Sequence, residues 1–124
     1  MVKRKRKTDK SKLIKKYLEH RPASDYVSVL RKRDRGRGIY VLFNGKKVYY
    51  VGLSKTSLYR QIRNHATKDR HKNKWRRFSF YQIGRTRFIK DIESLLIRVC
   101  KPPGNKVTGK FKRNYDLSKR LSVD

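Results

Sequence analysis

The stretch GIYVLFNGKKVYYVG, residues 38–52, decides the fold of this chain. Two runs rich in β-branched and aromatic residues, 38–43 and 47–52, lie on either side of Asn44 and Gly45. Such residues favour strands, and an Asn-Gly pair between two such runs is typical of a tight turn. The stretch therefore predicts an antiparallel β-hairpin.

The register of this hairpin stays open at the level of sequence. A two-residue turn at the Asn-Gly pair sets Tyr40 opposite Tyr49, whereas a three-residue loop that ends with Lys46 sets Tyr40 opposite Tyr50. Tyrosines paired across strands usually serve packing. The same side chains are also candidates for chemistry if other polar groups converge on them.

The rest of the chain alternates between helical and strand patterns. Apolar residues at helical spacing predict helices, and one short β-rich run predicts a third strand. This order predicts an α/β (α+β) fold, with a small three-stranded antiparallel sheet flanked by helices. The elements expected beside the hairpin are helices over 11–20 and 24–33, a helix capped by Ser54 or Thr56, a strand over 78–84, and a helix from Thr86 to about residue 100.

Charge narrows the function classes. The 124 residues include 37 Lys and Arg against nine Asp and Glu, which gives a formal net charge of +28. A fold with this charge repels itself without a polyanionic partner, so we expect nucleic acid to be bound and the affinity to fall steeply with salt. Candidate phosphate contacts are Lys47, Lys55, Arg70, Lys72, Lys74, Arg76, Arg77 and Lys110.

Other classes are disfavoured by what the sequence lacks. No apolar run approaches the ~18 residues of a membrane span, so no membrane partner is expected. Cys100 is the single cysteine, so an intrachain disulfide or a cysteine zinc cluster is impossible. No secretory leader is visible at the N-terminus, which favours a cytoplasmic location, nucleoid-associated in a prokaryote. No small-molecule cofactor is expected.

Glu93 is unusual because it lies on the apolar side of its predicted helix. At 100° per residue it falls about 40° from Ile89, within the apolar arc. An unpaired buried carboxylate costs several kcal/mol. Two explanations stay open: a salt bridge to one of the many cations, or a metal site, since Mg²⁺ or Mn²⁺ can use one carboxylate and keep most of its waters.

Four features in order resemble the GIY-YIG nuclease superfamily. They are GIY at 38–40 with YVG at 50–52, a helix that carries His65, the helical Glu93, and PPGN ending at Asn105. The resemblance covers roughly residues 37–111. It implies a catalytic domain over 36–111, preceded by a basic arm and helical extension over 1–35 and followed by a basic tail over 112–124.

The resemblance also implies roles for single residues. Tyr40 is the expected general base, and Tyr50 is expected to line the same site, which favours the three-residue hairpin loop. Glu93 is expected to hold one divalent metal, Mg²⁺ or Mn²⁺, against the scissile phosphate. His65 and Asn105 match the remaining family positions. Nearby cations are expected to lower the pKa of the phenol from its usual value of about 10.

One position departs from the family pattern. The family arginine lies one helical turn before the histidine, and this chain has Gln61 there. Arg60 and Arg63 are the two candidates to replace it. Outside the family pattern, His65 could simply interact with carbonyl groups at the end of its helix. Trp75 is expected to anchor the basic loop on the core, and His71 to be a loop residue near phosphates.

The expected function is therefore a Mg²⁺-dependent endonuclease that acts on DNA, with RNA not excluded, as a monomer or a homodimer. The alternative from another class is a noncatalytic nucleic-acid-binding protein, either an inactive relative or a ribosome-associated module. Composition alone favours the alternative. The placement of Tyr40, Tyr50, Glu93 and Asn105 favours the nuclease.

Overall fold

The computed structural model describes residues 12–29, 37–55 and 57–118, and the structural statements below concern those residues. The N-terminal arm up to residue 11 lies outside them. The strands are β1 (Ile14–Pro22), β2 (Gly38–Asn44), β3 (Lys47–Ser54) and β4 (Arg77–Ile83). The helices are α1 (Tyr26–Val29), α2 (Leu58–Thr67) and α3 (Ile89–Cys100), with 3₁₀ turns at Ala23–Asp25 and Thr86–Phe88.

The sheet is antiparallel throughout, in the order β1-β4-β2-β3. The predicted α+β class is confirmed, but the sheet has four strands rather than three. The added strand β1 comes from the segment predicted as a helix over 11–20, so that prediction is wrong. Tyr17 stacks on Tyr81 of β4, with ring centroids 6.1 Å apart. Most β1 side chains are exposed, so edge pairing with β4 overrides the helical spacing of the apolar residues.

The hairpin uses neither of the two predicted registers. Gly45 and Lys46 form the turn between Asn44 and Lys47, and Gly45 has a φ of 64°. Farther along, Tyr40 lies opposite Gly52, because a β-bulge shifts the register between Leu42 and Phe43. The extra residue is on β3, where Tyr49 has no partner of its own. Turn chemistry alone could not reveal a bulge two residues away.

Alternation along the central strands builds two cores, one on each face of the sheet. On the first face, α2 and the loop after it, through Trp75, cover Tyr40, Leu42, Tyr49 and Phe78. On the second face, α3 covers Ile39, Val41, Val51 and Ile83 through Ile89 and Ile97. The sheet therefore lies between helical layers, as predicted.

The helix boundaries differ slightly from the sequence predictions. The cap of α2 is Ser57, whose hydroxyl accepts a hydrogen bond from the Arg60 amide at 3.3 Å, rather than Ser54 or Thr56. The helix expected from Thr86 begins as a 3₁₀ turn and becomes α-helical at Ile89. Of the helix expected over 24–33, the described part is the turn and α1. Within the described ranges, no helix is long and apolar enough to cross a bilayer.

Candidate active site

The two motif tyrosines meet on the first face of the sheet. Tyr40 and Leu42 point to this face, and Tyr50 lies opposite Leu42, diagonal to Tyr40. The rings of Tyr40 and Tyr50 have centroids 6.0 Å apart. A Cβ on Gly52, directly opposite Tyr40, would overlap the Tyr40 ring and hydroxyl. Glycine at this position therefore makes room for the Tyr40 phenol.

A second pair of aromatic groups joins the site because of the β-bulge. The bulge allows Tyr49 to share the first face with Tyr50, so that two consecutive residues point the same way. The hydroxyl of Tyr49 and Nδ1 of His71 are 2.9 Å apart. The Tyr50 and His71 rings have centroids 4.5 Å apart. His71 lies in the loop after α2, as expected, but it is buried at 3% exposed and contacts the tyrosines.

A chain of hydrogen bonds runs from Tyr40 into α2. The Tyr40 hydroxyl lies 2.7 Å from Nε2 of His65, and Nδ1 of His65 lies 2.6 Å from Oδ2 of Asp69. The other carboxylate oxygen of Asp69 accepts the His71 backbone N–H at 2.9 Å. His65 is thus more than a group at the end of its helix. Asp69, which sequence reasoning passed over, contacts both histidine residues.

The loop after α2 is held against the core by Trp75. Its indole N–H donates to the carbonyl oxygen of His65 at 3.2 Å, and the residue is 5% exposed. The prediction that Trp75 anchors the basic loop is confirmed. The anchor places Arg70 next to the buried pair of histidines while its side chain stays at the surface.

Burial sets the protonation states of these groups. It raises the pKa of Tyr40 strongly, with further increases from Tyr50, Asp69 and Glu93, and it raises the pKa of Tyr50. The expected lowering of a phenol pKa by cations is therefore not what the structure gives, because desolvation outweighs the charge of Arg70. Burial also lowers the pKa of His65 and, with Arg70, lowers the pKa of His71 to about 4.

Glu93 is buried, as the helical position predicted, and it has an ion-pair partner. It is 8% exposed, and Lys90 donates to its Oε1 at 2.9 Å from one turn earlier on α3. The Lys90 side chain is 48% exposed, so solvent reaches the lysine of this ion pair. The charge of Glu93 also raises the pKa of Tyr40 and Tyr50. Glu93 therefore acts electrostatically on both phenols.

Asn105 and Gln61 both hydrogen-bond to the backbone of β3. The Asn105 side chain accepts the Val51 N–H and donates to the Val51 carbonyl, both at 2.9 Å. Nε2 of Gln61 donates to the Leu53 carbonyl at 3.1 Å. The structure thus brings Asn105 to the strand that carries Tyr50, and gives Gln61 a structural contact at the position where the resemblance implies an arginine.

The predicted cations lie outside the buried network. Arg60 and Arg63 are exposed on α2, on the side away from Ile62 and His65. Arg70 is different, since its charge lowers the pKa of Tyr50 and of both buried histidines. The eight predicted phosphate contacts are all exposed: Lys47, Lys55, Arg70, Lys72, Lys74, Arg76, Arg77 and Lys110.

Two groups of side chains could hold a metal. His65, Asp69 and His71 offer ligand atoms within 4.8 Å of one another, but their nitrogen donors suit Zn²⁺ or Cu²⁺ better than Mg²⁺. Side-chain atoms of these three residues also bond to Tyr40, Tyr49 and the His71 amide. Glu93 presents the hard oxygen donors that Mg²⁺ prefers, and its charge acts on Tyr40 and Tyr50.

Comparison with protein-family models, curated proteins and solved structures gave no match. The resemblance to GIY-YIG nucleases therefore rests on the ordered motifs, from the paired tyrosines to Asn105.

Proposed function

We propose that this protein is a Mg²⁺-dependent endonuclease that hydrolyses phosphodiester bonds in DNA. The main support is the convergence of Tyr40, Tyr50 and His65 on one face of the sheet, within reach of the Glu93 charge. A chain of net charge +28 would bring a phosphodiester to this face.

Tyr40 and Tyr50, which we call the phenol pair, act together as the general base in this proposal. Tyr50 is only partly buried, whereas Tyr40 is 2% exposed and contacts His65 behind it. Tyr50 therefore faces the attacking water, and Tyr40 connects it to the histidine. Ionisation of either tyrosine before the reaction is disfavoured, because burial raises the pKa of both. The proton must therefore leave the pair as the water attacks.

Glu93 would hold the metal, with the phosphate and water completing its shell. When bound, Mg²⁺ supplies stabilisation of the negative charge on the phosphate and on the leaving oxygen. Lys90 already provides a cation at this carboxylate in the structure. Mn²⁺, which has similar oxygen preferences, should substitute for Mg²⁺.

Arg70 supplies the positive charge that Gln61 lacks. This role is supported by the charge of Arg70 lowering the pKa of Tyr50 and of both buried histidines. Arg60 and Arg63 remain candidates to contact the phosphate, but both would have to turn inward from the exposed side of α2.

Plasmid cleavage tests this function. Wild type with Mg²⁺ should nick supercoiled DNA, and Glu93→Ala and Tyr40→Phe should each reduce the rate by about 10²-fold or more. DNA binding at low salt should persist in both variants. Equal nicking by all three proteins, or no nicking by wild type with Mg²⁺ or Mn²⁺, would contradict the proposal.

The second candidate is noncatalytic nucleic-acid binding. The specific observation in its favour is that Asn105 and Gln61 are both engaged in backbone hydrogen bonds. A protein that only binds nucleic acid needs the basic surface, but it does not need the side-chain amides of Asn105 and Gln61 to be free for contact with a substrate. Retained binding without cleavage in the plasmid assay would select this function.

A further inference from the structure

The proton that leaves the phenol pair needs an acceptor, and the structure contains one directly behind Tyr40. His65 is buried, and its Nε2 lies 2.7 Å from the Tyr40 hydroxyl. A neutral imidazole can accept a proton only at the nitrogen that carries none. Its tautomer therefore decides whether His65 can take this proton.

Asp69 determines that tautomer. A carboxylate only accepts hydrogen bonds, and Oδ2 of Asp69 lies 2.6 Å from Nδ1 of His65. The proton of the imidazole therefore sits on Nδ1, and the Nε2 lone pair faces Tyr40. The Tyr40 O–H then donates to Nε2. Both donors in this chain point the same way, from Tyr40 toward Asp69.

We propose that Asp69 is a positioning residue that fixes the Nδ1–H tautomer of His65, so that Nε2 can receive the Tyr40 proton during hydrolysis. This inference rests on the proposed nuclease function. The precedent in chemistry is the Asp-His pair of serine hydrolases, in which an acidic side chain orients the imidazole and stabilises the imidazolium.

The proton balance is complete without a further reagent. As the water oxygen bonds to phosphorus, a water proton passes to the phenol pair and the Tyr40 proton passes to His65 Nε2. The electron pair of the breaking P–O bond leaves with the departing oxygen, which takes a proton from solvent. His65 then loses its added proton to solvent. The net change is one phosphodiester and one water to one phosphomonoester and one alcohol.

Asp69→Asn tests the tautomer while it preserves the loop. The asparagine can keep its Oδ1 bond to the His71 amide, but Nδ2 would face Nδ1 of His65 and donate to it. This change favours the Nε2–H tautomer, which cannot accept from Tyr40. Cleavage should fall by about 10²- to 10⁴-fold, and DNA binding should be unchanged.

The direct measurement is ¹⁵N NMR of the imidazole nitrogens in metal-free protein. Wild-type His65 should show a protonated Nδ1 and a bare Nε2, and Asp69→Asn should reverse them. The control is Asp91→Asn, because Asp91 is a buried carboxylate that binds Arg113 and Tyr115 instead of a histidine. It should leave the His65 pattern unchanged.

The outcomes separate the two proposals. If wild type does not cleave DNA, the nuclease function fails, and the relay fails with it, while the NMR pattern still decides whether Asp69 positions His65. An unchanged tautomer, or a reversed tautomer with unchanged cleavage, overturns the inference alone. Low-micromolar Zn²⁺ that shifts the His65 and His71 nitrogens together would identify a metal centre and would also overturn it.

Discussion

At the scale of single residues, the site depends on buried polar groups that satisfy one another. Tyr40, His65 and Asp69 form one chain of hydrogen bonds, and Tyr49 with His71 forms a second contact beside it. Buried polar groups of this kind are costly when one partner is lost. The site should therefore respond to pH and to single substitutions more sharply than the exposed basic surface does.

His71 makes the stability of the fold depend on pH. Its pKa is lowered from 6.5 to about 4, first by burial and then by Arg70. Below about pH 6.5 the unfolded chain binds a proton here that the folded chain refuses until about pH 4. The free energy of unfolding should therefore decrease as pH falls through this window. We expect a loss of about 1–2 kcal/mol, because solvent screens the exposed Arg70 and Lys74.

Urea denaturation between pH 7 and pH 4 measures this effect. His71→Gln should be less stable than wild type at pH 7, where the neutral imidazole is lost, and should show a shallower decrease toward pH 4. Parallel pH profiles for the two proteins would show that His71 does not cause the dependence.

Arg70 should contribute more to the rate of DNA cleavage than Arg60 and Arg63 on α2. Arg70→Gln removes the cation whose charge reaches Tyr50, His65 and His71. The cleavage rate at saturating DNA should fall by about 10²-fold, as for loss of one group that stabilises transition-state charge. Arg63→Gln, an exposed substitution with the same change in charge, should change the rate by less than about threefold. If the cleavage rate fell more in Arg63→Gln than in Arg70→Gln, the arginine that stabilises transition-state charge would be Arg63 on α2.

At the scale of elements, the sequence predicted the hairpin, β4, α2 and α3, because their periodicity matches the faces that they bury. It could not predict β1, since most of that strand is exposed and its apolar residues fit a helix equally well. It also could not predict the bulge at Tyr49, because the turn residues do not encode it and Tyr49 contacts His71, which is distant in sequence. The bulge is what adds His71 to the site.

Within the hairpin, Gly52 should be intolerant of any side chain. A methyl group on Gly52 would overlap Tyr40, so Gly52→Ala must displace the phenol from His65. We expect a loss of about 1–3 kcal/mol in the free energy of unfolding, as for overpacking in other cores. Thermal or urea denaturation measures it, and NMR should show a changed His65 environment.

The matched control lies in the same hairpin. Gly45 has a φ of 64° and no atom within 4 Å of a built Cβ. Asparagine tolerates this left-handed conformation, so Gly45→Asn should cost less than about 1 kcal/mol. If Gly52→Ala proves as mild as Gly45→Asn, the close packing of Gly52 on Tyr40 is not required.

At the scale of the whole molecule, the sequence predicted the sign and the excess of charge but not its arrangement. The loop after α2 is rich in Lys and Arg, and its Trp75 and Asp69 bring it beside the phenols. A count of charged residues cannot reveal this anchoring, because it depends on hydrogen bonds to the backbone carbonyl of His65 and from the backbone N–H of His71. The same anchor explains why Arg70 acts on the site although it follows the histidine helix in sequence.

The salt dependence of DNA binding should locate the interface. The logarithm of the association constant should fall linearly with the logarithm of salt concentration, and each phosphate contact contributes about 0.9 to the slope. The double variant Lys72→Gln/Lys74→Gln removes two exposed cations of the loop, so its slope should be shallower by about 2. Fluorescence anisotropy with a short duplex, titrated between about 50 and 200 mM salt, measures the slope.

The control removes the same charge from the α3 face. Lys101 and Lys106 are exposed and line a cavity with Ile97, which packs on the second face of the sheet. Lys101→Gln/Lys106→Gln should keep the wild-type slope, because counterions are released only where phosphates bind. Equal changes of slope in the two variants would mean that DNA contacts both faces. A change in the control alone would place the interface at the end of α3 and the segment that follows it, rather than at the loop after α2.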